Sequence, residues 1–446
     1  MKLSSLLRAT ALVSAVALIP ATTAGLAAVD GRSSSQFERL SMVYQLVKLR
    51  YVEKVDDTKL EEGAIDGMLA SLDPHSSYLS GASMQRLNTM IDGNYSGLGL
   101  SVVLDDGAVK VIAPMKGSPA EAAGVKAGDY ITHLDGKLIY GGELDDAVAQ
   151  MRGEAGTKIR LTLFRAGRDQ PFDVTVTRGV IKLEPVTWEL TDSVGVISVN
   201  EFSADVGTDV AKAIDDLKRK AGGKLAGVVL DLRQNPGGAL EEAVALSDIF
   251  LTKGDIVSQR GRNARDDEYF KAESMIPGDL VKGLPVVVLI DSGSASASEI
   301  VAGALQDQRR AVIMGERSFG KGSVQSLFFL DNSRTNAVKI TTARYYTPLG
   351  RSVQEGGIVP DIAVPQLSDP DARRRAELSI RESDLRRHLV NEVAMDDKKL
   401  EADRQQDPRF KMTAEELKAK GIKDFQLYYA IQTLRRTAPP AMASKR

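Results

Sequence analysis

The sequence predicts a multidomain α/β protein: a layered α/β core with an inserted β-rich module and helical N- and C-terminal regions. Three observations predict it. Apolar runs of buried-strand length at 194–199, 228–230, 286–290 and 312–314 alternate with amphipathic helical segments, as when parallel strands are covered by helices. Between residues 94 and 180 short alternating strands are separated by glycine turns. From residue 369 onward charged residues at helical spacing replace the strand runs. A chain of 446 residues that is 43% hydrophobic is long enough for more than one domain with its own core.

In chain order, Lys2 and Arg8 precede an apolar run from Ala9 to Ile19, and small residues follow from Ala24 to Ala28. This pattern over residues 1–28 reads as a secretory signal, too short for a typical spanning helix, and implies export. Residues 29–93 form a helical region with patterns at 37–52 and 60–72, closed by Leu72-Asp73-Pro74-His75-Ser76-Ser77-Tyr78-Leu79. Pro74 stops the helix there, and His75 is expected to be satisfied locally. The module at 94–180 opens on Ser96-Gly97-Leu98-Gly99-Leu100, has strands at 108–113 and 159–165, and places Leu144, Ala147, Val148 and Met151 on one helix face. The core spans 181–368, with alternating strands at 326–330 and 337–345 closing it. The tail at 369–446 is expected to be a solvated helical face.

Composition narrows the chemistry. A formal net charge of −2 creates no field toward nucleic acid. The absence of cysteine excludes disulfides, thiol catalysis and cysteine metal sites, and leaves the redox compartment open. The turn Asp291-Ser292-Gly293-Ser294-Ala295-Ser296-Ala297-Ser298-Glu299 joins a buried-strand run to a helical pattern. A serine at such a strand-to-helix turn has an exposed hydroxyl beside the positive end of a helix, a nucleophile's position. None of the three histidines is well placed to serve as its base. A lysine can serve where burial or a cationic neighbour depresses its pKa, and Lys321 lies between two glycines in Ser318-Phe319-Gly320-Lys321-Gly322-Ser323-Val324-Gln325. A third box, Asp231-Leu232-Arg233-Gln234-Asn235-Pro236-Gly237-Gly238, follows a buried strand, and its glycines let backbone amides turn toward a ligand.

Two rival motifs overlap the lysine. Residues 315–322 nearly form a phosphate-binding loop, but Gly322 stands where that motif needs a magnesium-binding Ser or Thr. Ser318 and Lys321 also fit the Ser-x-x-Lys pair of penicillin-binding enzymes, whose companion motifs are missing.

On these boxes the chain resembles the carboxyl-terminal processing peptidases, or tail-specific proteases. Residues 294–299 match the family's Ser-Ala-Ser-Ala-Ser-Glu box and 319–325 its Phe-Gly-Lys-Gly-x-Val-Gln box, with Lys321 and Gln325 lying 25 and 29 positions after Ser296. The resemblance implies Ser296 as nucleophile, Lys321 as base and Gln325 as the residue orienting it. It implies an oxyanion hole from the Ala297 amide and one of Gly237 and Gly238, which of the two being open. The core would be layered in the ClpP/crotonase-like manner, and no cofactor or metal is called for. Residues 94–180 resemble a PDZ domain, whose carboxylate-binding loop matches Gly97-Leu98-Gly99-Leu100. Consecutive amides there would form a nest for a terminal carboxylate, and the next strand would accept an extended peptide. The resemblance further implies substrates with free apolar C-termini, an adaptor, a homo-oligomer, a periplasmic location, and Arg152 as the link from PDZ domain to active site. A secreted PDZ scaffold with an inert core is the alternative from another class.

Overall fold

The computed structural model describes residues 33–81, 83–84, 87, 94–105, 107–115, 117–140, 144–168, 170–182, 185–272, 278–368, 381–392, 410 and 412–437. The signal segment at 1–28 and much of the charged tail, including Arg373 to Arg375 and Lys398-Lys399, lie outside them. The chain forms two compact units, one of residues 85–184 and one of residues 1–84 with 185–446.

The larger unit is built on a six-stranded sheet ordered Val186–Thr191, Val194–Val199, Gly227–Asp231, Val286–Ile290, Val312–Gly315 and Ile362–Ala363. The first pair is antiparallel and every later pair is parallel. Sequences such as VVVLI and GVVLD suit central parallel strands because both faces are buried. On one face the helices Val206–Lys220, Leu240–Asp248 and Ala297–Asp307 enclose Ile214, Leu217, Leu230, Leu246, Val288 and Ile300.

The other face is covered by the C-terminal helix Phe425–Thr437, whose Ile431 and Leu434 pack with Val196, Val229 and Val287. For residues 425–437 this corrects the expected solvated face. Phe425, Ala430, Ile431 and Leu434 recur at helical spacing, and that buried stripe decides the helix's position despite the charge around it.

A second, antiparallel sheet of the same unit runs Ser77–Leu79, Ala337–Tyr346, Asp255–Gly261, Glu268–Lys271, with Ser323–Phe329 also paired to Ala337–Tyr346. In its register Gln325 faces Thr341, while Lys339 is flanked by Leu327 and Ser77. The N-terminal Asp73–Leu79 string therefore belongs to the sheet that carries the residues following Lys321.

The smaller unit is a sheet ordered Leu100–Asp105, Ala108–Pro114, Tyr130–Leu134, Lys158–Phe164, Phe172–Thr177. Helix Leu144–Met151 closes its core through Ala147 and Met151 against residues such as Ile131 and Leu161. Leu100–Asp105 is an edge strand, so its outer backbone groups can pair with an added strand. Gly97 ends a short strand paired at Gly179, Leu98 turns into the core, and Gly99 has φ +71° where a Cβ would meet Ser118 Cβ at 2.4 Å. Only glycine fits that turn. The carbonyls of Gln150 and Met151 at the end of helix Leu144–Met151 accept hydrogen bonds from Arg178 at 2.9 and 3.1 Å. Arg152 follows that helix with its N–H on the Val148 carbonyl at 3.1 Å.

The packing predicts that Ile214→Ala, which empties a fully buried position, lowers the stability of the larger unit by about 2–5 kcal/mol in chemical unfolding. A loss below about 1 kcal/mol would mean that the helical layer does not hold the sheet as described.

Candidate active site

The ends of two adjacent parallel strands, Gly227–Asp231 and Val286–Ile290, carry the two loops that meet at Ser296. Side chains zip these loops together. Asp291 accepts the Gln234 N–H at 2.9 Å and its side-chain amide at 2.7 Å. Ser294 donates to the Leu232 carbonyl at 2.8 Å and Ser298 to the Asn235 carbonyl at 2.9 Å, both serines being fully buried. Ser296, between them, remains partly accessible. Of the three alternating serines two are consumed as loop fasteners. Ser296 itself sits at φ +54° and ψ −109°, a sparsely populated region that costs on the order of 1–3 kcal/mol and persists because the surrounding bonds over-determine it.

Those bonds centre on Glu299. Its fully buried carboxylate accepts the N–H of Ser296 at 2.8 Å, of Gly320 at 2.7 Å and of Lys321 at 2.9 Å, and the Ser318 hydroxyl at 2.6 Å. The Glu299 N–H turns to the Ser296 carbonyl at 2.9 Å. One carboxylate thus fixes the main chain of the serine turn and of the lysine loop. Burial pushes its carboxyl up to about 7, against the opposing pull of these hydrogen bonds. In the sequence Glu299 stands in the serine box with no role assigned, although a Ser followed three residues later by Glu at a helix start carries capping-box spacing.

Lys321 is pushed below its ordinary value first by burial and then by the neighbouring Lys339, against the attraction of Glu382, Glu299 and Asp73. Among the described residues no hydrogen bond joins the Ser296 and Lys321 side chains, or Lys321 and Gln325. The Gln325 amide nitrogen is instead held by Ser323 Oγ at 2.9 Å and Thr341 Oγ1 at 3.2 Å. Thr341 Oγ1 in turn donates to Asp73 at 3.1 Å. His75, expected to be satisfied locally, reaches Glu382, 307 positions away, with its Nε2 at 2.9 Å. Its own N–H stays local on Asp73, and the partner for its ring comes from a segment that no sequence signal places nearby.

Gly237 packs against the serine turn so closely that a Cβ would lie 2.9 Å from Ser296 Cβ and 3.0 Å from Ala297 N. Its N–H donates to Asn235 Oδ1 at 2.9 Å. Gly238, at φ +149°, is pressed against Phe202, where a Cβ would meet the carbonyl oxygen at 2.2 Å. The N–H groups of Gly238 and Ala297 take no hydrogen bond among the described residues. Of the two glycines, the Gly237 donor is engaged and the Gly238 donor is not.

The Ser318 rival loses its chemistry here. Its hydroxyl is buried, donates to Glu299 and accepts the Ile358 N–H at 2.6 Å, and residues 317–322 are not helical.

Glu299→Gln should lose about tenfold or more in activity, since a carboxamide has one acceptor oxygen and turns its NH₂ toward backbone donors, and wild-type kcat/KM in the variant would contradict the part given to Glu299.

The chain matches known families and proteins along most of its length. Residues 193–364 match peptidase family S41, 19–82 the N-terminal domain of the activating protease CtpB, and 110–165 the PDZ domain. It is 45% identical over 362 residues to the carboxy-terminal-processing protease of Bartonella bacilliformis, covering 81% of this chain and 82% of that one. It is 38% identical over 330 residues to the carboxy-terminal processing protease CtpA of Bacillus subtilis, covering 74% and 69%. Among solved structures it is similar to the photosystem II D1 C-terminal processing protease, at a TM-score of 0.44 and 28% identity over 78% of this chain and 92% of that one. From the identity and coverage shared with these relatives, the chain belongs to the carboxy-terminal processing proteases, PDZ-bearing serine peptidases of family S41.

Proposed function

We propose that the protein is an exported, periplasmic endopeptidase that engages substrates by a free apolar C-terminus and cleaves them through a Ser296–Lys321 dyad. The observation that carries this reading is the Glu299 carboxylate, which grips the backbone of both residues at 2.8 and 2.9 Å. Neutral Lys321 takes the Ser296 proton as Oγ attacks the scissile carbonyl. The oxyanion that develops is met by the Ala297 N–H together with that of Gly238, or of Gly237 if its bond to Asn235 yields. Lys321 then delivers the proton to the leaving amine, and a water attacks the acyl-enzyme by the same route in reverse. Gln325 orients the lysine through its side-chain oxygen, its nitrogen being held by Ser323 and Thr341.

Substrate tails would be captured by the PDZ unit, with the Gly97-Leu98-Gly99-Leu100 turn meeting the terminal carboxylate and the edge strand Leu100–Asp105 pairing with the peptide. Arg152 would couple that event to the catalytic site, with an adaptor and self-association as further partners.

Wild type, Ser296→Ala and Lys321→Ala are compared on an unfolded protein bearing a free or amidated apolar C-terminus. Each variant should lose at least about 10³-fold in kcat/KM, since members of such a unit act together. Amidation should lower wild-type kcat/KM by about tenfold or more, the cost of a lost charged hydrogen-bond acceptor. Equal cleavage by all three proteins would overturn the dyad, and indifference to amidation would overturn the role of the PDZ unit. Arg152→Ala should change the kinetics of a substrate that bypasses the PDZ unit, and unchanged kinetics would remove it from the mechanism.

A further inference from the structure

The lysine loop is held by a second buried side chain besides Glu299. Lys321 stands between Gly320 and Gly322, neighbours without a Cβ to restrain the turn. Peptide groups are planar, so the backbone angles of Lys321, and with them the direction of its Cα–Cβ bond, follow from how the two flanking peptide planes are held. The plane before it is pinned at both ends: the Lys321 N–H donates to Glu299 at 2.9 Å, and the Gly320 carbonyl accepts the Glu355 N–H at 2.9 Å. The plane after it carries the Gly322 N–H, which donates to the Gln354 side-chain oxygen at 3.0 Å. Gln354 is fully buried, and its main chain lies so close that a Cβ on Gly322 would meet Gln354 N at 2.4 Å.

The Gln354 amide is fixed at both of its ends. The Gly322 N–H needs an acceptor, so the amide oxygen faces the loop and its NH₂ donates to Glu382 Oε1 at 2.9 Å. Glu382 is itself fully buried, with His75 Nε2 at 3.0 and 2.9 Å from its two oxygens and its own N–H on the Phe319 carbonyl at 3.3 Å. The Gln354 carbonyl accepts the Asn391 side-chain amide at 2.7 Å, so the same 381–392 segment also holds the main chain of Gln354. Turning the amide over would set its NH₂ against the Gly322 N–H and its oxygen against a carboxylate.

We propose that Gln354 is a positioning residue for catalysis: its side-chain oxygen fixes the Lys321–Gly322 peptide and so aims the Lys321 side chain. The inference rests on the reading of Lys321 as the base. Glu299 sets the plane by which the chain enters Lys321, and Gln354 sets the plane by which it leaves. Without the second bond the glycine after the lysine lets that plane rotate, and the amine samples directions away from the Ser296 hydroxyl. A misplacement of about 1 Å can cost about a hundredfold in rate.

The test is steady-state kinetics on an unfolded protein with a free apolar C-terminus. Gln354→Met keeps the length of the side chain and removes both polar groups. Its kcat should fall about tenfold to a hundredfold with KM unchanged, the pattern left when an interaction that serves the transition state is removed. Gln354→Glu combined with Glu382→Gln exchanges the two groups, which returns an acceptor to Gly322 and a donor between the pair, and should recover most of that loss. Circular dichroism and urea unfolding establish that each variant is folded. If Gln354→Met is not, Gln354→Asn, one methylene too short to reach Gly322 and Glu382 together, carries the same test. Wild-type kcat in the folded variant overturns the inference, as does a fall in kcat/KM carried by KM alone, or a folded exchanged pair no faster than Gln354→Met. Lys321→Ala runs in parallel: if it keeps wild-type activity the base reading itself falls, whereas an inactive Lys321→Ala beside wild-type kcat in Gln354→Met removes only the role given to Gln354.

Discussion

One buried carboxylate holds the serine turn and the lysine loop together. Glu299 has no access to solvent and accepts hydrogen bonds from Ser296, Ser318, Gly320 and Lys321. Each of those donors would cost about 1–3 kcal/mol if left buried and unpaired, so the lysine loop cannot leave the serine turn without a penalty of several kcal/mol. The carboxylate lies in the first turn of helix Ala297–Asp307, where the helix dipole favours negative charge. That one residue both sustains the unusual backbone of Ser296 and sets where the lysine begins.

Around it, the fold supplies parts from distant places. Adjacent parallel strands bring 231–238 against 291–298, where two buried serines and Asp291 lock the loops in register. Arg233, gripped by Asp231 at 2.6 Å and Asp424 at 2.7 Å, ties the same loop to the start of the C-terminal helix. The lysine loop is also held by the 381–392 segment, where the Glu382 N–H donates to the Phe319 carbonyl at 3.3 Å, and the N-terminal string joins that segment through His75 and Glu382 at 2.9 Å. The peptidase unit is therefore closed by a segment that precedes the inserted unit and by segments that follow the second sheet, which explains why a charged C-terminal region contains a buried helix.

Much of this was legible in the residues. Apolar runs such as Val286–Ile290 have the length and branching of buried strands, and the Gly97–Leu100 turn announced the inserted unit. The serine box, with an apolar run before it and helical spacing after it, was legible as the turn between strand Val286–Ile290 and helix Ala297–Asp307. What stayed hidden depends on tertiary contacts. Asp73, His75 and Glu382 carry no local pattern that joins residue 75 to residue 382. The buried helix at 425–437 is hidden by the charge around it, although Phe425, Ala430, Ile431 and Leu434 carry its stripe.

The central claim is that a single hydroxyl, activated by a lysine held through Glu299, does the chemistry. Labelling with a fluorophosphonate that carries an apolar peptide, followed by peptide mapping by mass spectrometry, tests it most directly. The account predicts one adduct, on Ser296, forming much more slowly in Lys321→Ala and in Glu299→Gln. An adduct on Ser294, Ser298 or Ser318, or labelling of Ser296 at the same rate in all three proteins, would contradict it.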